Sequence, residues 1–302
     1  MAKRNKKSWF NSKKSLTKAE KKERSHAVRN TIIIFAFIAV FVAAGIGFIF
    51  LERFVKSNLA LDVKSVHLQL VDFPAWAGDE LKERIDAAAG SSEDDFKITD
   101  AAAMRIGENL RNFAWLYDVQ VQVSNEVISV SAKYRKPVAL IIELAQKFFI
   151  DSEFIILDYV PLSKLSVVEI TGVPSYEINM RSVGTKWQKD EVAAAIELIE
   201  LLTKMDSQVS PAKPLLAELK SIDMSNFNGR RSSTQPHIVF YAKDGTEIKW
   251  GAQKGHSQRY LEAKDEEKLT LLYNTFEQFG TVQLKAAHKA SFIDLTQLQS
   301  LP

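Results

Sequence analysis

The strongest pattern in the chain is an apolar run close to its amino terminus. Residues 31–51 contain 21 positions without a single charged side chain. As a helix this run would be about 32 Å long, enough to cross the roughly 30 Å hydrocarbon core of a bilayer. It is longer than the apolar part of a cleaved signal peptide, and no small-residue cleavage pattern follows it. The pattern therefore predicts one N-terminal transmembrane helix over 31–51.

The next stretch, 62–137, has the periodicities of a small α+β unit. Residues 63–71 alternate between apolar and polar, as a half-buried strand does. Leu81, Ile85 and Ala88 share one helical face, and a second helix is predicted after Thr99. Two further alternating stretches, joined by a polar turn, predict a β-hairpin. The order predicted is strand, helix, helix, strand, strand, with both helices on one face of a three-stranded sheet.

After Pro137 the pattern predicts a mixed β-sheet domain with covering helices over 138–302. Helices are predicted at 188–204 and at 262–279, where Gly280 suits the C-cap. A Pro- and Ser-containing break is predicted at 207–214. Strands are predicted at 138–143, 147–150, 154–157, 167–171, 238–242, 247–250 and 291–296, the sixth following an Asp-Gly turn.

The distribution of charge predicts a membrane topology. Residues 1–30 hold eleven Lys or Arg against two Glu, whereas only Arg53 and Lys56 follow the apolar run closely. By the positive-inside rule, the basic tail 1–30 stays in the cytoplasm and 52–302 is exported. Nucleic-acid binding is the other common meaning of a Lys-rich tail, and a topology signal before an apolar run is the simpler interpretation.

The residues that carry chemistry form no catalytic or metal-binding pattern. The chain has no Cys and only five His, and no HExxH or Gly-rich phosphate loop occurs. Two S-x-x-K matches, at Ser15 and Ser210, lack the companion motifs of penicillin-binding proteins. We therefore expect no catalytic residue, no cofactor and no metal, and a protein that is not an enzyme.

Several short stretches, in order along the chain, resemble the bacterial cell-division family FtsQ/DivIB. Residues 114–123 (AWLYDVQVQV) and 127–140 (VISVSAKYRKPVAL) are similar to the family's paired strands at its domain junction. Residues 148–151 (FFID), 165–173 (LSVVEITGV), 247–251 (EIKWG) and 291–296 (SFIDLT) are similar to its later strands. The family-motif positions are Trp115, Arg135, Pro137, Ala139, Asp151 and Gly172.

This resemblance implies a fold, a location and partners. Residues 62–137 would be a POTRA domain and 138–302 the family's β domain. The protein would be a non-enzymatic divisome scaffold in the cell inner membrane at the septum. Its partners would be FtsB- and FtsL-like membrane proteins, with the septal peptidoglycan synthase and an FtsK-like protein as further candidates. Neither nucleic acid nor a small-molecule substrate is expected.

The predicted partner site is the last strand, because a terminal strand often lies at a sheet edge and can accept a strand from another protein. Phe292 or Ile293 would be its apolar anchor. Completion of the core by this strand is an equally weighted alternative. A second docking surface is expected on the strand 63–71 and the second helix, and the small residues 43–47 would permit close helix contact. The candidate partner-binding residues are Phe292, Ile293, Asp294, Leu295, Thr296, Gln297, Trp250 and Gly251.

Two other functions remain open at this point. A POTRA-type adaptor in envelope assembly or export would need only the first domain, and tandem copies of that domain would favour it. A membrane-anchored cell-wall enzyme would be favoured by a deep polar pocket near Glu247 or Asp294.

Overall fold

The structure is a computed structural model that describes residues 40, 42–53, 68–90, 100–124 and 127–297. The chain divides into two compact units, Met1–Leu61 and Asp62–Pro302. In the first unit, residues 42–53 are helical and their side chains are exposed. The second unit contains two β-sheets and the helices that pack on them.

The predicted fold class needs a correction at its N-terminal end. In the part of the chain that the structure describes, no helix is both long enough and apolar enough to cross a membrane. Most of the predicted span, 31–39 and Phe41, lies outside the described residues, as does the basic tail 1–30. The described residues therefore form a mixed α/β arrangement of two sheets and the helices that pack on them.

The smaller sheet has three strands in the order β1-β3-β2. β1 runs parallel to β3, and β2 pairs antiparallel with β3. Gly90 ends the first helix in the left-handed conformation that favours glycine, with a φ of 73°. The predicted element order is confirmed here, although positions 63–67 of the first strand lie outside the described residues. The elements are β1 (Leu68–Val71), α1 (Asp79–Ala89), α2 (Asp100–Arg111), β2 (Leu116–Val123) and β3 (Ile128–Tyr134).

The larger sheet has eight strands in the order β11-β10-β9-β8-β7-β4-β5-β6. The strand pairs β10–β11, β7–β8 and β4–β7 are parallel, and the remaining pairs are antiparallel. Its strands are β4 (Pro137–Glu143), β5 (Gln146–Asp151), β6 (Ile156–Asp158), β7 (Val168–Thr171), β8 (Leu219–Asp223), β9 (Ile238–Ala242), β10 (Glu247–Gly251) and β11 (Phe292–Asp294).

Two helices contribute to the core of the larger sheet, α3 (Asp190–Val209) and α4 (Asp265–Phe279). The apolar stripes of both helices share one buried cluster with strands β4 to β11. A second buried cluster joins the sheets, because it combines α1, α2 and the small sheet with Phe149, Leu157 and Val160 of the large-sheet region. The chain passes from one sheet to the other between Tyr134 and Pro137.

α3 and β8 differ most from the predicted elements, and β6 and β11 are shorter than the predicted strands 154–157 and 291–296. α3 continues to Val209, into the predicted break, and buried Asp206 accepts hydrogen bonds there from the backbone N–H groups of Leu215 and Leu216, both 2.9 Å. β8 was not predicted, because a bulge between Leu219 and Ser221 interrupts its alternation of apolar and polar residues.

Candidate functional site

The predicted final strand, β11, lies at one edge of the large sheet. It is three residues long and pairs in parallel with β10, with Phe292 opposite Glu247, Ile293 opposite Ile248 and Asp294 opposite Lys249. Only one side of an edge strand is paired, so the other side can receive a further strand.

The ladder to β10 determines which backbone groups of β11 face outward. The Ser291 carbonyl accepts a hydrogen bond from the Glu247 N–H (3.2 Å), and the Leu295 N–H donates to the Lys249 carbonyl (3.0 Å). The backbone groups of residues 291, 293 and 295 thus point toward β10. By alternation, the backbone N–H and C=O groups of Phe292 and Asp294 point away from it. Within the described part of the chain, no backbone partner pairs with these two residues. Two N–H and two C=O groups are left for an incoming strand.

Burial divides the predicted partner-binding side chains into two groups. Ile293 and Leu295 are completely buried in the core, so neither side chain can be a contact for another protein. Phe292 is 47% exposed, and the Lys249 ammonium lies 4.1 Å from its ring centroid. Of the two anchors that the sequence suggested, only Phe292 is accessible.

The carboxyl end of β11 is closed by a turn. The Asp294 carboxylate accepts hydrogen bonds from the N–H (2.9 Å) and the hydroxyl (2.6 Å) of Thr296. The Thr296 carbonyl in turn accepts the Ala263 N–H at 2.9 Å. Gln297 follows with an exposed side chain. The paired edge therefore ends at Thr296, where the loop that precedes α4 meets it.

The amino end of β11 is tied to the β9–β10 turn. The Asp244 carboxylate accepts hydrogen bonds from the N–H groups of Thr246 and Ala286, both 2.8 Å, and from the Thr246 hydroxyl at 2.9 Å. Burial alone would raise the pKa of Asp244, but these bonds from Ala286 and Thr246 outweigh it and lower the pKa. The segment that leads into β11 is thus held in place by a carboxylate.

Trp250 and Gly251, also predicted to bind a partner, lie inside the fold. The Trp250 ring is fully buried and stacks on Phe240 at 5.7 Å between centroids. Gly251 has a φ of 91°, and a side chain there would collide with the carboxylate of Glu262. These two residues shape the end of β10 and present no side-chain surface.

A buried ion pair fixes the loop between β10 and α4. The ammonium group of Lys268, a residue with no exposed surface, lies 2.6 Å from the Glu262 carboxylate. The same carboxylate oxygen accepts the Ala252 N–H at 2.8 Å. His237 is buried nearby, and burial lowers its pKa; Glu262 opposes this shift, and Lys268 adds to it.

The opposite edge of the large sheet, β6, differs from β11 because another segment covers it. The Ile156 N–H donates to the Thr185 carbonyl (3.0 Å), and the Gly184 N–H donates to the Ile156 carbonyl (2.8 Å). Lys186 continues this contact as an isolated bridge to Ile155. The β6 edge is consequently occupied by residues of the same chain.

Several family-motif residues meet at the joint between the two sheets. The Trp115 indole N–H donates to the buried Asp158 carboxylate at 2.8 Å, and the Arg84 guanidinium lies 3.2 Å from the same carboxylate. Arg135 pairs with the Asp151 carboxylate at 2.7 Å. Trp115 lies directly before β2 and Arg135 directly after β3 of the smaller sheet, whereas both carboxylates belong to the larger sheet. These residues therefore hold the sheets together.

The other motif positions have local structural roles. Pro137 and Ala139 are buried in β4, directly after the joint. Gly172 has a φ of 74°, and a Cβ there would overlap the backbone of Ser225. None of the three offers a polar group to a ligand.

Two clefts lined by described residues lie on the smaller sheet. One, of about 630 Å³, is lined by polar and charged residues that include Asp72, Arg111 and Lys133. The other, of about 380 Å³, follows β1 with Leu68, Leu70 and Phe73. In the described ranges, no group of three or more His, Asp or Glu side chains could hold a metal ion.

Some residues at the joint and at the edge had not been singled out in the sequence. Asp158 and Arg84 carry no local signal of their pairing. Lys268 does carry such a signal in the sequence. It lies four positions before Leu272 and therefore on the apolar stripe of α4, where a buried charge is expected to need a partner.

Comparisons with known proteins add no assignment to this geometry. No protein-family model matches the chain, and the search of curated proteins found no match.

Proposed function

We propose that this chain is a non-enzymatic scaffold of bacterial cell division, as its resemblance to FtsQ/DivIB implies, and that it binds an FtsB- or FtsL-type protein by strand addition to β11. The proposal requires no catalytic group and no cofactor. Its partner would be a protein segment able to adopt an extended conformation.

The observation that carries the proposal is the unpaired side of β11. Phe292 and Asp294 direct their backbone groups outward, and an added strand would satisfy up to four hydrogen bonds there. The half-exposed ring of Phe292 would give such a strand an apolar contact beside its backbone bonds.

The contrast between the two edges of the sheet supports this choice. The β6 edge is covered by residues 184–187 of the chain itself. β11 is held at both ends, and among the described residues no segment pairs with its outer side. A strand that is fixed at its ends is preorganised, so an incoming segment does not have to order it.

A pair of variants at one position tests strand addition. Phe292→Pro removes an outward N–H, and the Ile293 ladder to β10 stays intact; Phe292→Val keeps the N–H with an apolar side chain. In co-purification of the full chain with the FtsB-type protein of the same organism, we expect Phe292→Pro to lose at least about tenfold in recovery and Phe292→Val to lose much less. Equal recovery of both variants and the native chain would contradict strand addition at β11.

The cellular role is tested by imaging a fluorescent fusion of the full chain in dividing cells. Enrichment at midcell is expected for a division scaffold. A uniform distribution in every dividing cell would argue for the envelope-assembly alternative.

A further inference from the structure

The larger of the two clefts described above, of about 630 Å³, brings four charged side chains together on the small sheet. Arg111 ends α2, Asp72 follows β1, and Asp118 and Lys133 lie on β2 and β3. The volume is within the range of pockets that hold small ligands, about 300–1,000 Å³. The pairing of the four charges shows which kind of ligand the cleft can take.

Two of these charges pair with each other, and the other two do not. The Lys133 ammonium lies 2.6 Å from the Asp118 carboxylate. By contrast, neither the Arg111 guanidinium nor the Asp72 carboxylate has a hydrogen bond or an ion pair with another described residue. One positive and one negative group are thus available in a single cleft.

Asp72 is held in position by the residues on either side of it. The Tyr134 hydroxyl donates a long hydrogen bond, 3.4 Å, to the Val71 carbonyl, and the Phe73 ring packs edge to face on Tyr134 with 5.6 Å between centroids. Asp72 itself has a φ of 55°, in the left-handed region that Asp and Asn tolerate better than most residues. The Asp72 carboxylate is therefore carried by a turn whose two flanking residues are fixed.

A glycine inside α2 leaves room for the Arg111 guanidinium. Gly107 lies in the interior of this helix, where glycine is less favourable than alanine. A Cβ at this position would lie 3.6 and 3.7 Å from the terminal guanidinium nitrogens of Arg111 and 3.5 Å from a methyl group of Val121. A side chain longer than that of alanine would thus compete with the guanidinium for the same space.

Two uncharged polar side chains also line the cleft. Gln120 and Ser131 stand opposite each other on β2 and β3. Neither side chain makes a hydrogen bond with another described residue. An amide and a hydroxyl are consequently available to the N–H and C=O groups of a ligand.

We propose that this cleft binds a short peptide whose amino and carboxyl groups are both free, with the carboxylate on Arg111 and the ammonium on Asp72. A guanidinium can donate two parallel hydrogen bonds to a carboxylate. Gln120 and Ser131 favour a peptide over a single amino acid, because they offer partners to its internal amide groups. An extended tripeptide spans about 10 Å, which suits a cleft of this volume. The site lies on the other sheet from β11 and does not depend on strand addition.

The test titrates the full chain with three forms of trialanine at neutral pH and follows the peptide methyl groups by saturation-transfer NMR. Trialanine has both terminal charges, N-acetyl-trialanine lacks the ammonium, and trialanine amide lacks the carboxylate. We expect each blocked peptide to bind the native chain at least about threefold more weakly than trialanine, as the loss of an exposed ion pair implies.

Two variants assign the two ends of the peptide. Arg111→Gln should abolish the preference for trialanine over its amide and keep the preference over the acetylated form, and Asp72→Asn should do the reverse. Both positions are exposed, and Asn tolerates the left-handed region as Gln tolerates a helix. Arg181→Gln is the control, because this exposed arginine lies outside the cleft, and it should change neither preference.

The outcomes decide the proposal without reference to β11. Equal binding of the three peptides, or binding that does not saturate, overturns it. A preference that survives the matching variant also overturns it, and so does an equal loss of affinity for all three peptides in both variants. Each of these results leaves the test of strand addition with Phe292→Pro unaffected.

Discussion

The Trp115 indole N–H donates a 2.8 Å hydrogen bond to the carboxylate of Asp158, across the joint between the two sheets. Trp115 directly precedes β2 of the small sheet, and Asp158 ends β6 of the large one. The ring also meets Phe149 edge to face at 6.0 Å between centroids. One tryptophan thus contributes both a directional bond and apolar packing to the joint.

Removal of this bond should destabilise the chain measurably. Trp115→Phe retains an aromatic ring but removes the indole N–H from the buried Asp158 carboxylate, which keeps its ion pair with Arg84. We expect a loss of about 1–3 kcal/mol in the free energy of unfolding, the range for a buried hydrogen bond to a charged group. Urea denaturation followed by circular dichroism measures it.

A double-mutant cycle with Asp158→Asn separates the bond from the lost ring volume. If the bond accounts for the effect, the two substitutions together should cost less than the sum of their separate effects. Additive losses would show that Trp115 stabilises the joint through packing alone.

The Tyr273 hydroxyl ties α4 to α3 through Asp206. It donates to the Asp206 carboxylate at 2.7 Å and also lies 3.1 Å from the Leu202 carbonyl. Burial, together with this bond, raises the pKa of Tyr273 above its ordinary value of 10.0. The folded state therefore holds the phenolic proton more tightly than the unfolded state, so this stabilisation is present below about pH 10 and is lost as the pH rises further.

Tyr273→Phe should accordingly reduce the free energy of unfolding at neutral pH by about 1–3 kcal/mol. Its stability should also fall less steeply than that of the native chain above about pH 10. Urea titrations at several pH values measure both effects. Tyr176→Phe is the control, because the Tyr176 side chain is well exposed. If Tyr273→Phe leaves the slope of unfolding free energy against pH unchanged above about pH 10, Tyr273 is not the group that titrates.

The buried position of His237 predicts that the free energy of unfolding decreases at acidic pH. Burial lowers its pKa in the folded state, so the unfolded chain binds this proton more readily. The stability that His237 contributes in its neutral form should be fully present above about pH 6.5. It should decrease as the pH falls through the lowered pKa of the folded state. The charge of Glu262 opposes this shift of the pKa, and the charge of Lys268 reinforces it. The Tyr260 ring packs edge to face on the imidazole, with 4.4 Å between the ring centroids.

The measurement compares the slope of unfolding free energy against pH between about 7 and 5. His237→Phe keeps an aromatic contact for Tyr260 and should flatten this slope. His288→Asn, at an exposed position, should leave it as in the native chain. Identical slopes in the native chain and His237→Phe would rule out His237 as the source of the pH dependence.

Periodicity identified most elements of the fold, because each has one face in a core. The alternation at 238–242 and the stripe of α4 correspond closely to β9 and α4. β8 was missed, since its bulge directs both Leu219 and Ile222 inward and hides the period. For the apolar run 31–51, the described part of the chain contains no helix that could span a membrane, and most of the run lies outside that part.

The candidate site was only partly predictable, for a different reason. That the last strand would lie at an edge could be expected from its terminal position. Which of its side chains would face the core depends on its register with β10, which buries Ile293 and exposes Phe292.

The buried ion pair behind the edge leads to the last prediction. Lys268 has no exposed surface, and its ammonium lies 2.6 Å from Glu262 and 5.3 Å from the centroid of the Trp250 ring. Lys268→Met would leave a mostly buried carboxylate without its cation, and a loss of about 3–5 kcal/mol in unfolding free energy is expected. The double variant Lys268→Met with Glu262→Gln should recover most of this loss, because the neutral amide can still accept the Ala252 N–H. If Lys268→Met alone costs less than about 1 kcal/mol, the pair does not hold the loop between β10 and α4, and that loop must be held by its backbone bonds instead.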